Sequence, residues 1–177
     1  MRLFIAINFS DTALDAFEAA LERLRAQAGR ANYSRRENLH LTLAFLGELP
    51  SSRLPDIEAA MKAAAAGAGE FSLSFDHAGR FRREGGDIWW LGAADCPALT
   101  ALQSRLASEL KSRGFALEDR RFSPHLTLAR RVFGTADAAS LLDRPVPCRV
   151  SGMSLMLSER PGGKLTYTEL FYAAFAR

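Results

Sequence analysis

Polar and apolar positions follow two periods along the 177-residue chain. Phe71, Leu73 and Phe75 alternate with Ser72 and Ser74, the period-two pattern of a half-buried strand. Leu14, Phe17, Leu21 and Leu24 recur at the spacing of one helix face, as do Leu54, Ile57, Met61 and Ala65, and again Leu99, Leu102, Leu106 and Leu110. Punctuation supports these helices. Ser10 or Asp11 caps the first and Gly29 ends it; Ser51 or Ser52 opens the second and Gly67 and Gly69 stop it; Pro97 sits near the start of the third and Gly114 closes it. Strands are predicted over residues 2–9, 40–46 and 88–91, the last returning from a hairpin turn at 82–87. Residues 115–117 read as a short strand and 136–142 as a helix stopped by Pro145. One or two strands are expected over 146–157, and a final strand over 165–175 after the turn Pro161-Gly162-Gly163.

One strand pattern occurs twice. His40-Leu41-Thr42-Leu43 and His125-Leu126-Thr127-Leu128 are identical and lie 85 residues apart. The same offset maps Leu14, Phe17 and Leu21 onto Leu99, Leu102 and Leu106, Gly29 onto Gly114, and the pair Arg35-Arg36 onto Arg120-Arg121. A helix, its glycine stop, a basic pair and a strand are therefore repeated in register. The unit is far longer than a solenoid repeat, which predicts two lobes rather than an array. No linker or low-complexity tract separates them, so residues 1–177 are read as one domain.

Composition narrows the class. The start lacks a secretory pattern, and no stretch approaches the roughly 20 apolar residues of a membrane span. Two isolated cysteines, Cys96 and Cys148, point to a reducing cytoplasm and to neither a disulfide framework nor a zinc site. The net charge of +3 permits an anionic substrate without requiring one. Arginine outnumbers lysine 20 to 3, a bias that suits phosphate but also follows from genome composition.

The repeated strand carries chemistry. Side chains alternate along a strand, so His40 and Thr42 share one face and Leu41 and Leu43 the other. With the leucines turned inward, each copy offers an imidazole and a hydroxyl. Histidine exchanges protons near neutrality. A pair can act as base toward an attacking water and as acid toward a departing oxygen, each role worth about 10²–10⁴ in rate. Thr42 and Thr127 can donate to non-bridging oxygens, and Arg130 can neutralise a phosphate. This set suits a phosphodiester better than a peptide bond; no Ser or Cys nucleophile and no Walker-type loop stands out. Parity leaves a choice open. On an ideal strand Arg131, not Arg130, shares the face of His125, so either the strand bulges or ends there, or Arg131 is the phosphate ligand.

Other residues have plainer readings. His77 has no counterpart in the other half and reads as a surface or turn histidine. Trp89-Trp90 places one indole on each face, for core packing or for stacking a base. Arg35, Arg36, Arg120 and Arg121 either rim the groove or form a solvated face.

With these residues in place, the chain resembles the 2H phosphoesterase superfamily, and more closely the bacterial and archaeal RNA 2′,3′-cyclic phosphodiesterases once called 2′-5′ RNA ligases. The flanks match as well: Arg2-Leu3-Phe4-Ile5-Ala6-Ile7 at the start, Glu37-Asn38-Leu39 and Ala44-Phe45-Leu46-Gly47 around the first motif, Phe122-Ser123-Pro124 and Ala129-Arg130 around the second. The resemblance implies an α+β fold of two lobes related by a pseudo-twofold axis. Each lobe would have an antiparallel sheet backed by helices, with the active-site cleft between them. It implies hydrolysis of 2′,3′-cyclic phosphate ends of RNA, or of nucleotides, to a 2′-phosphate, with no metal or other cofactor. Carried over by position, His40 and His125 are the acid/base pair, Thr42 and Thr127 hold the phosphate, and Arg130 is the arginine after the second motif. Two departures stand out: Tyr33 and Ser34 where the family often has Trp, and Gly163-Lys164-Leu165-Thr166-Tyr167 in place of a Gly-Pro-x-Tyr-like segment.

His125 is taken as base and His40 as acid, with 2′-5′ ligation as a weak reverse reaction. A monomer is expected, because one chain supplies both halves of the site. The competing readings are a nucleotide or RNA-end binding module with little chemistry, and an enzyme for another substrate, such as a 2′-5′ oligonucleotide, ADP-ribose cyclic phosphate or another small cyclic phosphodiester.

Overall fold

Ser10 accepts a hydrogen bond from the Ala13 amide and so opens helix α1, Asp11–Ala28, whose Phe17, Ala20, Leu21 and Leu24 are buried. Pro55 lies in the first turn of α2, Leu54–Ala66, and Pro97 begins α3, Pro97–Ser112, where the missing amide hydrogen costs nothing. The computed structural model describes residues 1–176. Its strands are β1 Arg2–Ile7, β2 Asn32–Tyr33, β3 Leu41–Glu48, β4 Phe71–Phe81, β5 Asp87–Ala93, β6 His125–Val132, β7 Val146–Val150, β8 Gly152–Glu159 and β9 Thr166–Ala174.

The strands run β7-β4-β5-β6-β3-β1-β8-β9, with β2 beside β6, and every pairing is antiparallel. Two four-stranded halves, β6-β5-β4-β7 and β3-β1-β8-β9, meet at a single residue pair, Leu41 with Leu126. The α+β architecture matches the expectation, with a refinement. The lobes are not the two halves of the chain: β4 from the first half joins the second lobe, and the β8-β9 hairpin of the second half completes the first. Each repeat unit is therefore locked into the other.

The helices cover one side of the sheet, α1 on β6 and β7, α3 on β3 and β4, and α2 on β8, β9 and α3. Phe9, Phe17 and Phe75 meet edge to face there at centroid distances of 5.0–5.4 Å. A smaller cluster of Phe4, Ala6 and Met156, with Tyr167 against it, lies on the other face of β1. That face is the floor of the cleft.

Two predicted elements fail for identifiable reasons. Residues 115–117 form no strand. The Phe115 amide donates to the Leu110 carbonyl, completing the end of α3, and the Arg53 guanidinium lies 4.0 Å from its ring centroid. The helix predicted over 136–142 shrinks to one 3₁₀ turn, Ala138–Ser140. Seven residues are too few to sustain an isolated helix. Asp137 caps the turn through the Ala139 amide, while Gln27 and Arg23 of α1 bond the Asp137 amide and the Leu141 carbonyl. The 146–157 stretch resolves into two strands, β7 and β8.

Candidate active site

Leu41, Leu43, Leu126 and Leu128 are buried against the helices. Strand alternation then turns His40, Thr42, His125 and Thr127 to the opposite face, where all four line one cleft of about 1150 Å³. Extending the Leu41–Leu126 register by one residue each way sets His40 opposite Thr127 and Thr42 opposite His125. The two repeats thus bring their chemistry together across the joint between the lobes.

Each imidazole is anchored in the same way. His40 Nδ1 lies 2.7 Å from the Asn38 carbonyl, and His125 Nδ1 lies 2.7 Å from the Ser123 carbonyl. A carbonyl only accepts, so Nδ1 carries the hydrogen in both rings and Nε2 is left with its lone pair. Thr42 Oγ1 sits 3.0 Å from His40 Nε2 and donates to it. Aromatic rings flank both groups: Phe4 at 4.9 Å and Tyr167 at 5.2 Å from His40, Phe81 at 5.1 Å and Trp90 at 6.3 Å from His125.

This apolar surround disfavours the charged form. Burial, reinforced by the positive charge of Arg130, pushes His40 down to about 4, against a rise from its bond to the Asn38 carbonyl. His125 is also lowered, by burial first and then by Arg130 and Arg120. Both histidines are neutral at pH 7 while the cleft is empty.

Arg130 reaches the cleft because the strand bulges. Trp90 pairs with Thr127 and Trp89 with Ala129, which leaves Leu128 as an extra residue. The insertion reverses the alternation, so Leu128 and Ala129 are both buried and Arg130 comes round to the face of His125. The parity question is settled in favour of a bulge. Arg131 is exposed, has φ of 55° and is not part of the cleft lining. Strand β3 bulges at the equivalent place: Ala6 pairs with Thr42 and Ile5 with Ala44, leaving Leu43 extra. There the residue brought to the cleft is Phe45, 39 % exposed, with the Arg2 guanidinium 5.2 Å from its ring centroid. The motifs match through Ala44 and Ala129 and part company at this position.

Sequence reasoning missed Asn38, Leu165 and the contact of Tyr167 with His40. Asn38 is buried; its Nδ2 donates to the Leu165 carbonyl at 3.1 Å, and Arg35 donates to the same oxygen. These bonds hold the 163–167 segment so that Tyr167 walls the His40 end of the cleft. The one available signal was positional: Asn38 and Ser123 each stand two residues before a motif histidine. Tyr33 lines the cleft, and Ser34 bonds β6 through its hydroxyl to the Thr127 carbonyl at 2.8 Å.

The remaining candidates fall elsewhere. His77 is a surface residue but not a turn residue: it lies on β4, with Nδ1 2.6 Å from an Asp76 carboxylate oxygen, outside the cleft lining. Trp89 is core, and Trp90 faces the cleft side beside His125. Arg35 and Arg120 line the cleft; Arg36 is held by α1. Cys96 and Cys148 are unpaired. Among the described residues, no three His, Cys, Asp or Glu side chains gather as a metal-ligand set.

Residues 13–162 match the family model described as the 2′-5′ RNA ligase superfamily. The chain is 32% identical over 131 residues to the RNA 2′,3′-cyclic phosphodiesterase of Thermotoga maritima, covering 73% of this chain and 70% of that one. The corresponding protein of Escherichia coli is 33% identical over 142 residues, covering 76% and 74%. The crystal structure of E. coli LigT complexed with 3′-AMP superposes with a TM-score of 0.83 at 28% identity, over 99% of this chain and 98% of that one.

Proposed function

The chain belongs to the 2′-5′ RNA ligase superfamily, and from that premise we propose that it is an RNA 2′,3′-cyclic phosphodiesterase that opens the cyclic phosphate to a 2′-phosphate. One observation carries the reading to chemistry. Two imidazoles, each with Nδ1–H fixed on a carbonyl two residues earlier, present their Nε2 atoms in the cleft that Thr42, Thr127 and Arg130 also line. A binding module has no use for a matched proton acceptor and donor.

Arg130 and the threonine hydroxyls hold the non-bridging oxygens, where charge accumulates in the transition state. One histidine takes a proton from water as its oxygen attacks phosphorus. The other gives a proton to O3′ as the P–O3′ bond breaks. The product is a 2′-phosphate and a free 3′-hydroxyl, and proton exchange with solvent resets the pair. With a 5′-hydroxyl in place of water as the attacking group, the same break of P–O3′ gives a 2′-5′ linkage and a 3′-hydroxyl, a reaction that water outcompetes. Nothing in this sequence of steps draws on a metal ion.

The electrostatics of the cleft favour the opposite assignment from the one expected on sequence. His40, with its proton affinity pushed furthest down, is the base; its Nε2 lone pair, held by the Thr42 hydroxyl in the empty cleft, is freed when that hydroxyl turns to the phosphate. His125, less strongly affected, more readily carries the proton that the acid must hold. A bound phosphate raises both, since an anion favours the imidazolium.

A monomer in a reducing cytoplasm is the working form, supported by a site assembled from one chain and by two free thiols. Among the described residues, no helix is long and apolar enough to cross a membrane. Turnover of a 2′,3′-cyclic nucleotide in excess chelator, with the products resolved, tests the reading. A 2′-phosphate product is expected. A 3′-phosphate, or loss of activity with chelator, would overturn the mechanism; no turnover would leave a binding module or another cyclic phosphodiester as substrate.

A further inference from the structure

The basic pairs Arg35-Arg36 and Arg120-Arg121 hold equivalent places ahead of the two histidines, yet they are used differently. Arg36 is tied to Asp11, Asp15 and Glu18, and Arg35 to Glu37 and the Leu165 carbonyl; both side chains are 30% exposed. That pair is committed to the fold. Arg120 has one ion-pair partner, Glu118 at 2.6 Å, and is 74% exposed. Arg121 is exposed and has no ion-pair partner among the described residues. Both sit in residues 115–124, which carry no helix or strand.

Position gives Arg120 a use, and Arg121 follows it in the same exposed loop, outside the cleft lining. Arg120 lines the cleft, and its charge reaches His125. The opposite end is walled by Tyr167 and the held Leu165 segment. The 115–124 loop, on the His125 side of the cleft, gives a ligand longer than one nucleotide a way out. The terminal phosphate already occupies Thr42, Thr127 and Arg130, so the next charge along the ligand is the internucleotide phosphate. A guanidinium fork suits its two non-bridging oxygens. An exposed pair such as Glu118–Arg120 is weak and yields to a phosphate.

We propose that Arg120 and Arg121 form a binding site for the phosphodiester backbone leading into the reacting end, so that the preferred substrate is an RNA chain rather than a mononucleotide. This rests on the cyclic phosphodiesterase reading and adds the part of the substrate that it leaves open.

The test compares kcat/KM for adenosine 2′,3′-cyclic phosphate with that for a short RNA ending in the same nucleotide, across a salt series. The wild type is expected to favour the RNA, and the ratio to fall about tenfold in Arg120→Gln/Arg121→Gln. The log–log salt slope for RNA falls by about 0.7 for each backbone phosphate that no longer meets a guanidinium. Arg120→Lys/Arg121→Lys recovers most of the ratio, since the interaction is mainly one of charge. No RNA preference in the wild type, or equal losses on both substrates in the Gln variant, overturns the site. If the wild type turns over neither substrate, the hydrolytic reading fails alone. The affinity of RNA ending in a 2′-phosphate against adenosine 2′-phosphate then reads the arginines directly, and a ratio unchanged by the Gln variant overturns them.

Discussion

Leu41 and Leu126 are equivalent residues of the sequence repeat and partners across the sheet. A residue that pairs with its own repeat copy lies on the pseudo-twofold axis. The axis therefore passes through the one joint between the lobes, and the residues flanking that pair, His40, Thr42, His125 and Thr127, are placed around it by symmetry. A phosphate at the axis sees a histidine and a threonine from either side. What tells it the two sides apart is the Thr42–His40 bond on one of them, and Arg130 against Phe45, the cleft-facing residues after each bulge.

Removal of either histidine is expected to cost about 10²–10⁴ in kcat with the fold retained, checked by steady-state kinetics and circular dichroism. The acid and the base separate on a substrate whose leaving group needs no proton. On a 3′-deoxynucleoside 2′-(p-nitrophenyl phosphate), nitrophenolate departs in place of O3′. His125→Ala should then approach wild-type turnover, while His40→Ala stays slow. The opposite pattern would exchange the roles.

The pH dependence follows from the lowered histidines. kcat/KM reports the free enzyme. The base works once it is neutral, above about 4 for His40. The acid works while protonated, below the lowered value of His125. The kcat/KM optimum is therefore expected on the acid side of 6.5, the ordinary histidine value. The kcat optimum should lie higher, because the bound phosphate favours both imidazolium forms. Coincident profiles would contradict this.

Arg130→Ala should lower kcat/KM by at least about tenfold, mostly through KM, with Arg130→Lys restoring part of it, since a point charge replaces a fork. Arg131→Gly should leave kinetics near wild type. It should raise the unfolding midpoint, because Arg131 holds φ of 55°, a conformation glycine adopts without a steric penalty. Denaturant unfolding and kinetics on the two variants check both statements.

The histidines and threonines were legible because local facts decide them: identical tetrapeptides, period-two alternation and a shared offset. Arg130 was legible as a residue type and ambiguous as a position. A bulge is decided by how β6 pairs with β5, and no local pattern around Leu128 announces it. Asn38 and Tyr167 were invisible as partners because 127 residues separate Asn38 from Leu165, and only the β8-β9 hairpin crossing into the first lobe brings them together. The lost helix near 138 had the right composition, but a seven-residue stretch is too short to sustain a helix by itself, and α1 side chains bond the ends of the single turn that remains.

Asn38 offers the sharpest check on why His40 is so hard to protonate. Its side chain donates one hydrogen bond to the Leu165 carbonyl, while its own Oδ1 is buried without a partner. Asn38→Ala loses the first and is relieved of the second, so the net change in stability should be small, within about 1 kcal/mol. The backbone carbonyl that anchors His40 Nδ1 remains. What goes is one of two bonds to the Leu165 carbonyl, the other being Arg35's, just ahead of Tyr167, which stays paired with Ser158 in the β8-β9 hairpin. With Tyr167 less firmly seated, water gains access to the His40 ring and the desolvation that depresses its proton affinity weakens. The acid limb of kcat/KM should move up in pH, by an amount that Arg35→Ala/Asn38→Ala enlarges, while the limb set by His125 stays in place. If instead kcat falls uniformly with pH and neither limb moves, the burial of His40 does not depend on this segment.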